Sequence, residues 1–150
     1  MKKVFIYYSK DGSGDVVAEK LKEHGVEIRK IETKQPLPKS FFLSMMVGGF
    51  KGLTKYKDKL YDYDKDISKY EEVIIGSPIW FDRISAPINR VLDDLDLNDK
   101  KVSFIFYSGS GEANKAEERV KDMFDEYPSI AILKEPKNNK KELNKIRLYE

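Results

Sequence analysis

The chain has 150 residues, the usual size of one globular domain, and its 28 basic and 26 acidic side chains leave a net charge of +2. Such a balanced charge disfavours a dedicated nucleic-acid binder, so we expect no nucleic-acid partner. The sequence has no cysteine, which excludes disulfides, thiolate nucleophiles and cysteine-ligated metal or iron–sulfur sites.

Because no targeting or membrane-spanning signal is predicted, we expect a cytoplasmic protein. The N-terminal segment turns polar after a short apolar run, so no signal peptide is predicted. The longest mostly apolar stretch, residues 41–50, falls well short of the ~20 residues of a membrane span. We expect one domain over residues 1–150, no membrane partner, and a monomer or weak dimer.

The first half of the chain begins with a strand, a helix and a second strand. Residues 4–8 form a nearly continuous apolar run, typical of a strand buried on both faces. Apolar residues at helical spacing follow from Val16, and His24 before Gly25 is the predicted end of this helix. Residues 26–31 alternate like a strand, and one helix is predicted near residues 41–47 within a less regular region.

The second half repeats the strand and helix alternation. Strands are predicted at 72–76, 102–107 and 130–133, helices at 84–95 and 113–124, and a final Lys-rich helix from Asn138 carrying Leu143, Ile146 and Leu148. This order predicts an α/β fold, a three-layer doubly wound sandwich around a five-stranded parallel sheet. Ligands of such sheets bind at the carboxyl ends of the strands.

The loop after the first strand has the composition of an anion-binding turn. It consists of Ser9, Lys10, Asp11, Gly12, Ser13 and Gly14. Its glycines permit a sharp turn, and free N–H groups at the start of the next helix attract an anion such as phosphate. The alternative is an ordinary strand–helix connection capped by Asp15.

Two further loops are predicted at the same edge. The loop after the third strand contains Pro78, Ile79, Trp80, Phe81 and Asp82, and Trp80 at that position can stack on a planar ring. The loop after the fourth strand contains Ser108, Gly109, Ser110 and Gly111, small residues that let a ligand approach the backbone closely. Together the three loops suit a flat heterocycle with a phosphate tail.

The sequence resembles the flavodoxins from residue 3 to about residue 133. The matching pieces are YYS-x-x-G at residues 7–12, GSPIW at 76–80 and SGSG at 108–111. The resemblance implies a strand order of 2-1-3-4-5, one bound FMN, one-electron transfer and a redox partner protein. It also implies that residues 9–14 hold the FMN phosphate, that residues 78–82 line the isoalloxazine ring, and that residues 108–111 contact its pyrimidine edge.

The chain departs from the flavodoxin pattern at two loops. Asp11 and Gly14 replace threonines of the family's phosphate loop, so we expect FMN binding to be weakened. Phe81 and Asp82 occupy a turn where flavodoxins often have glycine, so a strained backbone there costs more, and we expect a poorly stabilised semiquinone.

Two other functions remain open. The first is an FMN-dependent NAD(P)H:quinone reductase with a pocket under residues 41–50, and the second is a protein of the same fold that has lost tight FMN binding. Residues 41–50 themselves are either a helix packed on the sheet or a mobile lid or partner surface. No catalytic side chain and no metal site are expected, and the group Asp93, Asp94 and Asp96 is interpreted as a solvated face.

Overall fold

The computed structural model describes the backbone of residues 1–150 and all side chains except at positions 41 and 52. The strands are β1 (Lys3–Tyr7), β2 (Glu27–Lys30), β3 (Glu72–Trp80), β4 (Arg83–Ile84), β5 (Lys101–Ser108) and β6 (Ser129–Lys134). The helices are α1 (Ser13–Glu23), α2 (Phe41–Leu53), α3 (Ala86–Asp94) and α4 (Asn114–Met123). A 3₁₀ helix, Lys140–Tyr149, ends the chain.

Five parallel strands form the sheet in the order β2-β1-β3-β5-β6, which is the predicted flavodoxin-like order 2-1-3-4-5 of the long strands. The sixth strand, β4, was not predicted. It pairs antiparallel with the end of β3, where Trp80 lies opposite Arg83. Two residues are too few for a period-2 pattern to be visible in the sequence.

The sheet is covered on both faces, as the three-layer prediction requires. Val4 and Ile6 point to the face covered by α3 and α4. Phe5 and Tyr7 point to the other face, which packs against α1 and the 3₁₀ helix. The central strands therefore bury both faces, and this explains why they consist of unbroken apolar runs rather than alternating ones.

The ends of the helices differ from the sequence predictions in three places. The helix predicted at 84–95 begins at Ala86, because Ile84 pairs with Ile79 in β4. Helix α1 begins at Ser13, because Gly12 adopts a left-handed conformation with φ 97° that only glycine takes without strain. The C-terminal helix is 3₁₀ rather than α. It buries Ile146 and Tyr149 as core residues, but Leu148 is 66% exposed, contrary to the prediction.

Among the helices that the structure describes, none combines the length and the apolar character needed to cross a bilayer.

Candidate functional site at the carboxyl edge of the sheet

The three predicted loops lie side by side, because β1, β3 and β5 are neighbours in the sheet. A cleft of about 310 Å³ lies among all three. The predicted residues that line it are Lys10, Asp11, Ser13, Pro78, Ile79, Trp80, Ser108 and Gly109. A second cleft of about 400 Å³ adjoins it, and the predicted residues that line this one are Ile79, Phe81, Asp82, Ser108, Gly109 and Ser110. The loops thus form one concave region.

The first loop is built around inward-pointing backbone N–H groups. Gly12 and Gly14 both donate to the hydroxyl oxygen of Ser9, at 3.1 and 3.0 Å. Ser13 donates its N–H to Oδ1 of Asp11 at 2.9 Å. These are the donors that an anion uses at a helix N-terminus, and here acceptors of the loop itself hold them in place. A bound phosphate would compete with the Asp11 carboxylate for the N–H of Ser13.

Gly14 is required by aromatic packing beneath the loop. A Cβ atom at this position would lie 2.6 Å from the Tyr107 hydroxyl and 2.7 Å from Cδ2 of Tyr7. Burial raises the pKa of Tyr107 well above its usual value, so the hydroxyl stays protonated and donates to the Tyr8 carbonyl. The tyrosine therefore takes the space that a threonine side chain at position 14 would need.

Asp15 does not cap α1, so the predicted cap is wrong, whereas the choice between an ordinary connection and an anion-binding turn stays a prediction. The helix has already begun at Ser13, and the Asp15 carboxylate accepts a 2.7 Å hydrogen bond from the Tyr7 hydroxyl and contacts Lys30 at 3.0 Å. Burial disfavours the charged form of Asp15, but the hydrogen bonds from Tyr7 and Lys30 outweigh it and lower the pKa. Burial and the same hydrogen bond raise the pKa of Tyr7.

Two lysines border the first loop, and only one of them was predicted. Lys10 reaches across to α2 and donates to the hydroxyl of Ser44. Lys137 donates to the Asp11 carbonyl at 2.7 Å, and its stem lies 3.4 Å from where a Cβ on Gly12 would stand. Lys137 follows β6, whose carboxyl end reaches the same edge of the sheet. That position after the last predicted strand was the available signal, and sequence reasoning missed it.

The second loop is shorter than predicted, because β3 continues through Pro78, Ile79 and Trp80. Only the tight hairpin turn between β3 and β4 remains. Phe81 and Asp82 both have left-handed backbone conformations, with φ of 50° and 64°. This is the strained turn expected from the absence of glycine. Asp82 is held by the first turn of α4: its carboxylate accepts the Lys115 N–H and its carbonyl accepts the Ala116 N–H, each at 3.0 Å.

The third loop is held by hydrogen bonds to the Ser108 hydroxyl, and its backbone is open to solvent at Gly109. The Ser108 hydroxyl accepts the N–H groups of Ser110 and Gly111, both at 3.2 Å, and donates to the Glu112 carbonyl at 2.8 Å. Gly111 has φ 81° and packs against Lys134. A Cβ on Gly109 would meet nothing within 4 Å, so a ligand can approach the backbone there.

Helix α2 lies against the aromatic turn, in the region that was hardest to predict. Its close approach depends on Gly49, because a Cβ there would stand 2.7 Å from the Phe81 ring. A third cleft, of about 240 Å³, separates α2 from Trp80 and is bordered by Met45 and Gly48. Residues 41–50 are thus a helix packed beside the site, as the first interpretation expects. Most of its apolar side chains are exposed, however, which leaves open the partner surface of the second interpretation.

The remaining predictions concern residues away from the site. His24 ends α1, donating its backbone N–H to the Leu21 carbonyl, as predicted. Asp93 pairs with Lys57 at 2.8 Å, and Asp94 accepts a hydrogen bond from Tyr63. Among the side chains that the structure describes, no group of three or more possible metal ligands is found.

Three solved structures of flavoproteins or putative flavoproteins are similar to this chain in fold. A putative flavoprotein from Bacteroides eggerthii has a TM-score of 0.77 at 22% identity, covering 98% of this chain and 96% of its own. One from Bacteroides uniformis has a TM-score of 0.71 at 20% identity, with 86% and 85% covered. A Lactobacillus acidophilus flavoprotein, solved in complex with FMN, has a TM-score of 0.69 at 18% identity, with 93% and 97% covered. At these identities the likeness establishes the fold alone.

No curated protein sequence matches the chain. The sequence model of a protein family does match, over residues 10–139, and its description is NADPH-dependent FMN reductase. The match includes the second and third loops and nearly all of the first. The chain therefore belongs to the NADPH-dependent FMN reductase family.

Proposed function

We propose that the protein is an FMN-containing electron carrier of the flavodoxin type. The predicted cofactor is confirmed: the family is defined by FMN chemistry, and a relative of the same fold was crystallised with FMN. The finer assignment, to one-electron transfer with a partner protein, is the proposal.

The residues at the carboxyl edge fit FMN. The N–H groups of Gly12, Ser13 and Gly14 and the ammonium groups of Lys10 and Lys137 are the donors for its phosphate. The two larger clefts, of about 310 and 400 Å³, offer an aromatic wall and an open backbone to its ring. FMN supplies the redox chemistry, while the protein binds it, orients it and limits its contact with water.

The observation that carries the proposal is the small space on the α2 side of Trp80. That cleft measures about 240 Å³, below the roughly 300–1,000 Å³ of most small-molecule sites. The Lys10–Ser44 hydrogen bond and the contact between Phe81 and Gly49 close it further. The cleft beside Trp80 is therefore smaller than a typical site for a nicotinamide dinucleotide, and a carrier needs no second small-molecule site.

The family match favours a second candidate, an NAD(P)H-dependent flavin reductase. In that case α2 would have to move away from Trp80 to admit the nicotinamide, breaking the Lys10–Ser44 hydrogen bond.

Anaerobic mixing of the FMN-loaded protein with NADPH, and separately with dithionite, distinguishes the two. A carrier is bleached by dithionite and keeps its oxidised flavin spectrum with NADPH over many minutes. Reduction by NADPH on the timescale of enzyme turnover, seconds or faster, would establish the reductase instead. The Ser44→Ala variant, which frees Lys10 from α2, serves as a check on whether closure of the cleft decides the outcome.

A further inference from the structure

Helix α2 has its polarity reversed relative to an ordinary surface helix. Its inward face carries Ser44 and Lys51, which are 7% and 8% exposed. Lys51 is held there by Asp58 at 2.8 Å and by the Gln35 carbonyl at 3.0 Å. Large apolar side chains point outward instead, each between 45% and 69% exposed: Phe42, Leu43, Met45, Met46, Phe50 and Leu53.

This face is unusual for a protein surface. Single exposed apolar residues are common, but a contiguous cluster of six on one short helix marks an interaction site. The apolar surface continues onto Phe81, which is 51% exposed and packs over Gly49. The cluster therefore reaches the edge of the cofactor site.

The exposed charges next to α2 in the sequence are of one sign. From Thr33 to Lys57 the sequence has five lysines and no aspartate or glutamate, although the whole chain is nearly neutral. Lys34, Lys39 and Lys55 are exposed, and none of them forms a salt bridge within the described side chains. Whatever covers the apolar face thus also meets a local excess of positive charge.

We propose that α2 docks the protein onto an anionic membrane surface, with its apolar side chains entering the headgroup region and its lysines facing lipid phosphates. Apolar side chains flanked by lysine on a helix parallel to the surface are the features of an interfacial anchor. The expectation of no membrane partner was based on the length of a spanning segment, and a helix lying on the surface needs no such length. Docking in this way would turn the cofactor edge toward the lipid.

The charge pattern disfavours a second copy of the chain as the occupant. In a two-fold dimer the same patch faces itself, so the lysines around one α2 would approach those around the other. An anionic bilayer instead offers negative charge and an apolar phase together. A protein partner would have to carry both on one surface.

Co-sedimentation of the cofactor-free protein with lipid vesicles tests the proposal without reference to FMN. We expect at least tenfold tighter binding to vesicles of phosphatidylcholine with about 30% phosphatidylglycerol than to phosphatidylcholine alone, since each lysine contributes about fivefold. Phe42→Ser with Phe50→Ser removes most of the binding. The matched control is Tyr127→Ser with Leu148→Ser, which are 57% and 66% exposed elsewhere.

Charge variants test the electrostatic contribution to vesicle binding. Lys39→Gln with Lys55→Gln should remove most of the preference for phosphatidylglycerol, whereas Lys140→Gln with Lys141→Gln, also exposed, should leave it intact. No binding to anionic vesicles would overturn the proposal. So would binding that ignores the phenylalanine variants, or a sedimentation-velocity dimer that the Phe42 and Phe50 variants dissociate while vesicle binding is absent.

Discussion

Asp11 is the residue that most clearly disfavours binding of the FMN phosphate, because it places a negative charge in the phosphate loop. Its carboxylate holds the Ser13 N–H at 2.9 Å, in the loop that we assign to the FMN phosphate. The Asp11→Asn variant keeps an acceptor for that N–H but removes the charge that repels phosphate. We expect the FMN dissociation constant to fall by about tenfold, equivalent to roughly 1.4 kcal/mol, as measured by quenching of FMN fluorescence.

The matched control for that variant is Asp62→Asn, which removes one exposed negative charge elsewhere on the surface. An Asp11→Asn protein that binds FMN no more tightly than the Asp62→Asn protein would show that Asp11 does not face the phosphate.

Lys137 is the cation that we place beside the phosphate. Its ammonium group is 2.7 Å from the Asp11 carbonyl. Because a hydrogen bond to a charged group contributes about 1.5–3 kcal/mol, Lys137→Gln should weaken FMN binding by at least tenfold. Riboflavin, which lacks the phosphate, should bind the two proteins equally. Lys141→Gln is the matched control, and a loss shared by riboflavin would contradict the assignment.

Residue-level prediction from sequence succeeded where the signal was local. Runs of glycine and serine after a strand identified the first and third loops, and Trp80 identified the second. The left-handed Phe81 and Asp82 lie where a strained backbone was expected to cost more. Lys137 was missed because its contact joins residues 126 positions apart. That proximity depends on where β6 joins the sheet, and the only local signal was the position of Lys137 after the last predicted strand.

At the level of elements, the first turn of α1 is packed directly on two tyrosines. Gly14→Ala would bring a methyl group within 2.7 Å of both Tyr107 and Tyr7. Overpacking of this kind costs about 1–3 kcal/mol. Urea unfolding should therefore give a free energy of unfolding lower by that amount for the variant. Gly109→Ala, where a Cβ meets nothing within 4 Å, is the control. Equal stability of the two variants would mean that Tyr107 does not occupy that space.

The helices and strands with the clearest hydrophobic pattern were predicted most accurately from the sequence. The central strands are mostly apolar runs because both sheet faces are covered, the edge strand β2 alternates, and all five strands of the parallel sheet were predicted. The two-residue β4 has no periodicity to detect. Helix α2 was predicted near its true position, but its reversed polarity is visible only once the side chains are placed. The C-terminal segment forms a 3₁₀ helix, which turns Leu148 outward and Tyr149 inward.

For the whole molecule, buried tyrosines predict a loss of stability in alkaline solution. Burial, with the nearby Asp58 charge, raises the pKa of Tyr8 to about 12, and burial also raises the pKa values of Tyr7 and Tyr107. Since the folded-state pKa lies above the unfolded value of about 10, the full stability is present below pH 10. It falls as the pH rises from there toward 12, because only the unfolded chain releases these protons readily.

Each such tyrosine should lower the free energy of unfolding by about 1.4 kcal/mol per pH unit in that window. Urea unfolding across the alkaline range, followed with tyrosinate absorbance, measures this. In the Tyr8→Phe protein the free energy of unfolding should fall less steeply with pH, by the contribution of one tyrosine. The Tyr61→Phe protein, in which an exposed tyrosine is replaced, should keep the full slope. A decline unaffected by Tyr8→Phe would show that Tyr8 ionises freely in the folded protein.

The overall architecture followed from alternating strand and helix patterns, since such chains have few ways to cover both faces of a parallel sheet. The site was located by the rule that ligands bind at the carboxyl ends of the strands, and the structure brings the three loops together there. How α2 narrows the site could not be predicted, because its position depends on Gly49 meeting Phe81 across the fold.

Fluorescence titration of the cofactor-free protein with FMN and with riboflavin, under the same conditions, shows directly whether this edge of the sheet binds a flavin by its phosphate. The two differ only in the phosphate, which we assign to the loop of residues 9–14 and to Lys137. The account predicts that FMN binds at least tenfold more tightly, with the difference shrinking in the Lys137→Gln protein. Equal affinities, or no binding of either flavin, would contradict it.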